Sequence, residues 1–266
     1  MSTPYLVCLD IDGTTVDHDG RLHEPVRTAV QEVMAAGHHV VLATGRAVVG
    51  TLPMLEALGI TTGYAVCANG AITVRLDAGA DAGYELLEAV TFDPAPALRV
   101  LRAEFPTALV AVEEVGVGFK VSAPFPDGEL DGTPRVVPFE ELMAHPVTRL
   151  TIRDPESTSE AFVAGTERIG LHGVEYAVGW SAWLDITPEG VSKGAALEHV
   201  RRLLDVEPAL TVAVGDQRND LEMLRWAARG VAMGNAPDEV KDVADEVAGH
   251  VDEDGLVAVL AAVPRG

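Results

Sequence analysis

Cysteine is scarce in this sequence. Only Cys8 and Cys67 occur in 266 residues, each inside an apolar run, and both read as buried small hydrophobes, not as a disulfide or a metal site. Long hydrophobic runs are missing too. No stretch approaches the ~18 apolar residues of a membrane helix. The N-terminus lacks a basic region followed by an apolar stretch, so no signal peptide is expected. Positive charge is also in short supply: 19 Lys and Arg stand against 41 Asp and Glu, a formal net charge of −22. Such a surface repels nucleic acid and anionic lipid, so neither is an expected partner. A phosphate would need a local nest of donors against that background. Neither Gly-x-Gly-x-x-Gly nor Gly-x4-Gly-Lys occurs, which disfavours the dinucleotide and nucleoside-triphosphate folds built on those loops. There is no internal repeat. A soluble, cytoplasmic protein, monomer or homodimer, is expected.

What is present begins with a 48% hydrophobic composition, enough for one large domain or two modest ones. Short apolar runs at Tyr5–Leu9, His39–Ala43 and Tyr64–Ala68 alternate with helical patterns, one opened by Pro25 and ended at Gly37, the next at Val49–Leu58. This order predicts a doubly wound parallel sheet. The character changes at Asp93-Pro94-Ala95-Pro96. Helices near 97–105, 139–144 and 157–169 then mix with strands near 107–112, 118–122, 147–152, 174–178 and 182–186, and residues 123–138, rich in Pro, Gly and Asp, read as an exposed loop. The parallel pattern resumes with a helix from Ala195, a strand at Leu210–Val214 and a short strand at Val231–Met233. The expected architecture is a discontinuous α/β core, residues 1–88 and 184–266, with an α+β insertion at 89–183.

Ligands of such sheets bind at the carboxyl ends of the strands, and Asp10, Thr44 and Asn69 all sit there. Asp10 and Asp12 leave on one side if the strand continues between them. One carboxylate can serve as a nucleophile and the other can move a leaving group's proton, with a hard cation keeping the first ionised. The bland alternative is a polar turn with Asp12 capping it. An EF-hand is a poor fit, because its glycine position falls on Thr15 or Leu22. Thr44-Gly45-Arg46 offers a hydroxyl and backbone N–H groups to an anion, or is a plain helix start. Lys193 adds a point charge at a helix start, or is a solvated lysine. Asp216 and Asp220 complete an oxygen-only set with Asp10 that suits Mg²⁺, and Asn219 can bond Lys193 or a phosphate; helix capping explains one of these residues but not Asp216. Gly190-Val191-Ser192-Lys193-Gly194 has the spacing of a serine nucleophile elbow, yet Pro188-Glu189-Gly190 interrupts the strand that motif needs. Lys120, Arg149 and Arg153 could touch a substrate but read first as surface charges, and Trp180 and Trp183 read as packing residues.

Together these residues resemble the haloacid dehalogenase-like phosphohydrolases, most closely the Cof-type group with its large inserted cap. Asp10-Ile11-Asp12-Gly13-Thr14 matches that family's first motif, Thr44 its second, Lys193 its third and Gly215-Asp216-Gln217-Arg218-Asn219-Asp220 its fourth, with Gln217 where a small serine is common. Asn69-Gly70-Ala71 and Met233-Gly234-Asn235-Ala236 are also typical of the group. The resemblance implies a Mg²⁺-dependent phosphatase of a small phosphorylated metabolite, such as a sugar phosphate. It implies Asp10 as nucleophile, Asp12 as acid and base, and Thr44, Gly45, Lys193 and Asn219 on the phosphate. The metal would take the Asp10 carboxylate, the Asp12 carbonyl and Asp216, with Asp220 as ligand or anchor. The cap would close over the core and read the leaving group. A phosphomutase or phosphotransferase is the alternative. A non-catalytic phosphate-binding regulator and a Ser192 hydrolase stand behind it.

Overall fold

The computed structural model describes residues 3–154, 174–178 and 183–265. The helix expected at 157–169 and Trp180 lie outside them. In chain order the first elements are β1 (Leu6–Leu9), α1 (Glu24–Ala35), β2 (His39–Ala43), α2 (Val48–Leu58), β3 (Gly63–Cys67), β4 (Ile72–Leu76) and β5 (Tyr84–Ala89). There follow α3 (Ala95–Glu104), β6 (Leu109–Glu114), β7 (Gly118–Val121), β8 (Arg135–Val136), α4 (Phe139–Leu142), β9 (Leu150–Arg153), β10 (Val174–Val178) and β11 (Trp183–Pro188). The last described elements are α5 (Lys193–Leu203), β12 (Thr211–Gly215), α6 (Leu221–Trp226), β13 (Arg229–Ala232), α7 (Asp238–Lys241), β14 (Glu246–Val247) and α8 (Gly255–Ala261). No helix among the described residues is long and apolar enough to cross a membrane.

The chain divides into two compact units, one formed by residues up to Gly45, Thr51–Glu88 and Ser192 onward, the other by Arg46–Gly50 and Ala89–Val191. The first unit holds an eight-stranded sheet in the order β14-β13-β12-β1-β2-β3-β4-β5. From β14 to β3 neighbouring strands are parallel, and β4 turns back antiparallel on β3. β1 is four consecutive apolar residues, all buried, as a strand at the centre of a sheet covered on both faces must be. Leu6, Cys8, Val41, Val66 and Ala213 meet the apolar stripe of α5, Ala196, Leu197 and Val200, in one core cluster. Helix α1 starts with Pro25 in its first turn and buries Val26, Ala29, Val30 and Val33.

Two expectations about this unit change. β1 ends at Leu9, so strand alternation does not run through Asp10 and Asp12. The backbone turns instead, with the N–H groups of Thr14, Thr15 and Val16 all donating to the Ile11 carbonyl. The core also resumes later than residue 184. β11 is hydrogen-bonded to β9 and β10, so residues 183–188 belong to the second unit's sheet.

That second sheet has the order β10-β11-β9-β6-β7-β8. Val110, Val112, Leu150, Ile152, Leu184 and Ile186 pack with Leu98 and Leu101 of α3. Residues 123–138 are not simply an exposed loop. Phe125 and Leu130 pack against Ala111, Phe119 and Val121, and residues 135–136 form β8 on the edge of the sheet. The Pro/Gly-rich composition marks the turns but hides these two anchors.

Candidate active site

Strand register alone gathers the key residues. Leu9 pairs with Leu42 on one side and Val214 on the other, so Asp10 lies between the ends of β2 and β12. Thr44 and Asp216 follow those ends, and Asp10 donates its N–H to the Val214 carbonyl at 3.0 Å. Gly13, at φ 77°, lets the chain leave β1, and a Cβ there would sit 2.4 Å from an Asp216 oxygen. No L side chain fits that space.

Lys193 is the largest fully buried side chain among the described residues, with 0% of its surface exposed. A buried ammonium is tolerable only when paired. Its Nζ donates to Asp10 Oδ1 at 2.7 Å and to Asp220 Oδ1 at 2.6 Å. The other Asp220 oxygen accepts the N–H groups of Asp216 and Gln217, both at 2.9 Å. Asp216 accepts from the Thr14 hydroxyl at 3.1 Å, the Gln217 amide at 2.8 Å and Asn235 Nδ2 at 3.2 Å.

Carboxylate oxygens of Asp10, Asp216 and Asp220 lie within 4.8 Å of one another. Burial, then the Asp220 and Asp216 charges, pushes the Asp10 carboxyl well above its ordinary range, with Lys193 opposing. Burial, then Asp220, likewise raises Asp216. For Lys193 burial works downward, but Asp10 and Asp220 outweigh it and hold the ammonium firmly charged. Three carboxylates against one ammonium leave two negative charges when all are ionised. An oxygen-only donor set with that excess fits a hard divalent cation of the Mg²⁺ kind, and offers neither imidazole nor thiolate to zinc.

The sequence candidates do not all share this environment. Asp10 is 4% exposed, whereas Asp12 faces solvent. Thr44 is buried, and Gly45 is half-buried beside Asn69 and Asn219. Asn219 bonds Asn69, not Lys193. Ser192 is the N-cap of α5, its hydroxyl accepting the Ala195 N–H at 3.1 Å. That is a structural assignment for the hydroxyl of the Gly-x-Ser-x-Gly stretch. Thr14, Gln217 and Asn235 stand inside quoted motifs without a role of their own, and spacing does not reveal their shared bond to Asp216: Thr14 and Asp216 are 202 positions apart. Of the three basic residues read as surface charges, Lys120 pairs with Glu114 and Glu141, and Arg153 with Glu129. Arg149 departs from that reading: its side chain is 6% exposed and pairs with the buried Glu113.

Against known proteins, the family model of the haloacid dehalogenase-like hydrolases matches residues 7–102 and 128–260. The chain belongs to the haloacid dehalogenase-like hydrolases. Within this hydrolase family it is similar to the putative phosphatase YkrA of Bacillus subtilis, 31% identical over 268 residues and covering 94% of both chains. It is also similar to the 5-amino-6-(5-phospho-D-ribitylamino)uracil phosphatase YitU of the same organism, at 26% identity over 97% of this chain and 96% of the relative. Among solved structures, a subclass IIB sugar phosphatase superposes with a TM-score of 0.80 at 25% identity, over 97% of this chain and 98% of that one. This hydrolase is thus an enzyme of the Cof-type phosphatases, with the doubly wound core and inserted α+β unit of that fold.

Proposed function

We propose that this phosphatase hydrolyses small phosphorylated metabolites, such as a sugar phosphate, through an aspartyl-phosphate on Asp10 with Mg²⁺ as cofactor. One observation carries the reading. A buried carboxylate is held 2.7 Å from a buried ammonium, with two further carboxylates around them, at the carboxyl end of a parallel sheet. A fold spends that much desolvation where chemistry needs it.

Asp10 is fixed by the Lys193 ammonium and attacks phosphorus; the new P–O bond forms as the bond to the leaving alcohol breaks. Asp12, which faces solvent, gives that alcohol its proton. In the second step Asp12 takes a proton from water, the water oxygen attacks phosphorus, and the Asp10 carboxylate is released. Thr44, Gly45, Lys193 and Asn219 hold the phosphoryl oxygens, so that most of the catalysis is positioning and charge neutralisation. The Asp10 carboxylate, the Asp12 carbonyl and Asp216 would hold the metal. Asp220 spends both oxygens on Lys193 and two N–H groups, which suits an anchor better than a ligand. Mg²⁺, when bound, supplies a Lewis acid that offsets the excess carboxylate charge and that of the phosphoryl group. The activities for which two similar proteins are named, a 5-amino-6-(5-phospho-D-ribitylamino)uracil phosphatase and a sugar phosphatase, support a small phosphorylated substrate.

Hydrolysis of an aryl phosphate by wild type and Asp10→Asn, with and without Mg²⁺, tests the reading. Turnover that needs Mg²⁺ and disappears in the variant is the expected result. Turnover unchanged in Asp10→Asn would sink the mechanism. Trapped aspartyl-phosphate passing to a sugar alcohol faster than to water would identify a phosphotransferase.

A further inference from the structure

The turn between β3 and β4 is strained. Ala68 and Asn69 have φ of 50° and 55°, and Gly70 has φ of 104°. Three successive left-handed residues are unusual, and two of them carry a Cβ. Such strain persists only when the surroundings over-determine it, and it concentrates at functional sites. The surroundings here are the phosphate-handling segments of the same unit. The Asn69 N–H donates to the Thr44 carbonyl at 3.0 Å. Its side-chain Oδ1 accepts from Asn219 Nδ2 at 2.9 Å. A Cβ on Gly70 would fall 2.2 Å from the Ser192 carbonyl oxygen and 3.1 Å from the Lys193 nitrogen. One three-residue turn thus abuts the segments of Thr44, Lys193 and Asn219.

The amide pair is the informative part. Asn219 Nδ2 lies beside Gly45: a Cβ on Gly45 would sit 3.6 Å from it and 3.1 Å from Asn69 Oδ1. Asn219 Oδ1 is buried and has no hydrogen-bond partner among the described residues. An amide has a donor end and an acceptor end, and an orphaned buried acceptor is costly. Asn219 therefore does not owe its orientation to its own oxygen. It owes it to Asn69, which holds the NH₂ end against the Thr44-Gly45 turn. One N–H is committed to Asn69, which leaves the second for an oxygen of a bound phosphoryl group.

We propose that Asn69 is a positioning residue that turns the donor end of Asn219 toward the phosphoryl group, the two amides acting as one unit. This rests on the phosphatase reading. Asn69→Gly is the informative variant, since glycine accepts the left-handed φ and removes only the amide. Calorimetric titration with inorganic phosphate in Mg²⁺ buffer compares wild type, Asn69→Gly, Asn219→Ala and the double variant, with thermal unfolding as the fold check. Asn69→Gly should melt no lower than wild type and bind phosphate at least threefold more weakly. The double variant should bind no more weakly than the weaker single variant, because removing Asn219 removes what Asn69 acts through. A loss below threefold in Asn69→Gly, or a double-variant loss equal to the product of the single losses, overturns the proposal. Aryl phosphate turnover by wild type is read alongside. A wild type that binds phosphate without turnover counts against the phosphatase reading and leaves the amide comparison standing. A wild type that binds no phosphate overturns both.

Discussion

Each unit buries charge, and the two do it differently. In the second unit Arg149 Nε lies 3.3 Å from Glu113 Oε2, with side chains 6% and 0% exposed. The Thr148 hydroxyl donates to the same oxygen at 3.4 Å, and the Arg149 guanidinium stands 5.0 Å from the Phe119 ring centre. One cation meets one anion. In the first unit one ammonium meets three carboxylates. Burial alone does not separate structure from chemistry, since both clusters are buried. Imbalance does. A one-to-one pair cancels its own charge, even though Glu113 Oε1 has no hydrogen-bond partner among the described residues, while an unbalanced cluster is neutralised only when something of the missing charge arrives.

The comparison breaks most sharply at Asp10. Asp10→Asn should lower aryl phosphate turnover by about three orders of magnitude or more, as removing a nucleophile does, while steady-state circular dichroism stays that of wild type. The balanced pair should answer in stability instead. Glu113→Ala strands a buried guanidinium and should cost about 3 kcal/mol in urea unfolding, whereas Glu113→Leu with Arg149→Met should recover most of that loss. The pH dependence sharpens this arm. Burial, opposed by Arg149, raises the Glu113 carboxyl above its ordinary value of 4.5. The folded protein then holds that proton more tightly than the unfolded chain, so the contribution is full below pH 4.5 and is lost as pH climbs through the raised value. From pH 4.5 upward, Glu113→Gln should therefore lose less stability than wild type.

Charge completion gives a smaller effect. Mg²⁺ at about 100 times its dissociation constant should stabilise the wild type by about 2.7 kcal/mol, read as a rise in melting temperature. Asp216→Asn should show little of this rise and, without metal, should melt above wild type because one repulsive charge is gone. Equal Mg²⁺ responses in the two proteins would contradict the imbalance argument. The smallest effect belongs to Ser192→Ala, which removes the cap of α5 and should cost about 1 kcal/mol with turnover within twofold. A loss of turnover on the scale of Asp10→Asn would revive the serine nucleophile.

How far these features were legible depends on their range. Asp10, Thr44, Lys193, Asp216 and Asp220 could be named because each stands at a strand or helix end that local pattern reveals, and the parallel sheet then brings those ends together. Asn69 was visible as a turn residue, but its bond to Asn219 crosses 150 positions and no spacing announces it. Asp220 reads from the sequence as a metal ligand or anchor, with helix capping as the bland alternative. It does accept the Gln217 N–H, yet its stronger assignment is Lys193, which only the packed core reveals. Arg149 misled in the opposite sense. A lone arginine in a strand reads as solvent-facing until Glu113 appears beside it through the pairing of β6 with β9. Strand β14, Glu246–Val247, is two exposed residues with no apolar alternation to read; its place comes from pairing with β13.

The order of strands in the first sheet has a consequence for how the molecule is made. β1 leads straight into Asp10, the nucleophile proposed above, and its neighbour β12 begins at Thr211. A ribosome adding 5–20 residues per second needs roughly 10–40 s to travel between them. During that interval the intervening unit, with its own apolar cluster, can fold as it emerges, while β1 waits with one edge open. Asp10, Lys193 and Asp216 meet only in the last quarter of synthesis, so on the proposed mechanism a nascent chain cannot act before it is nearly finished.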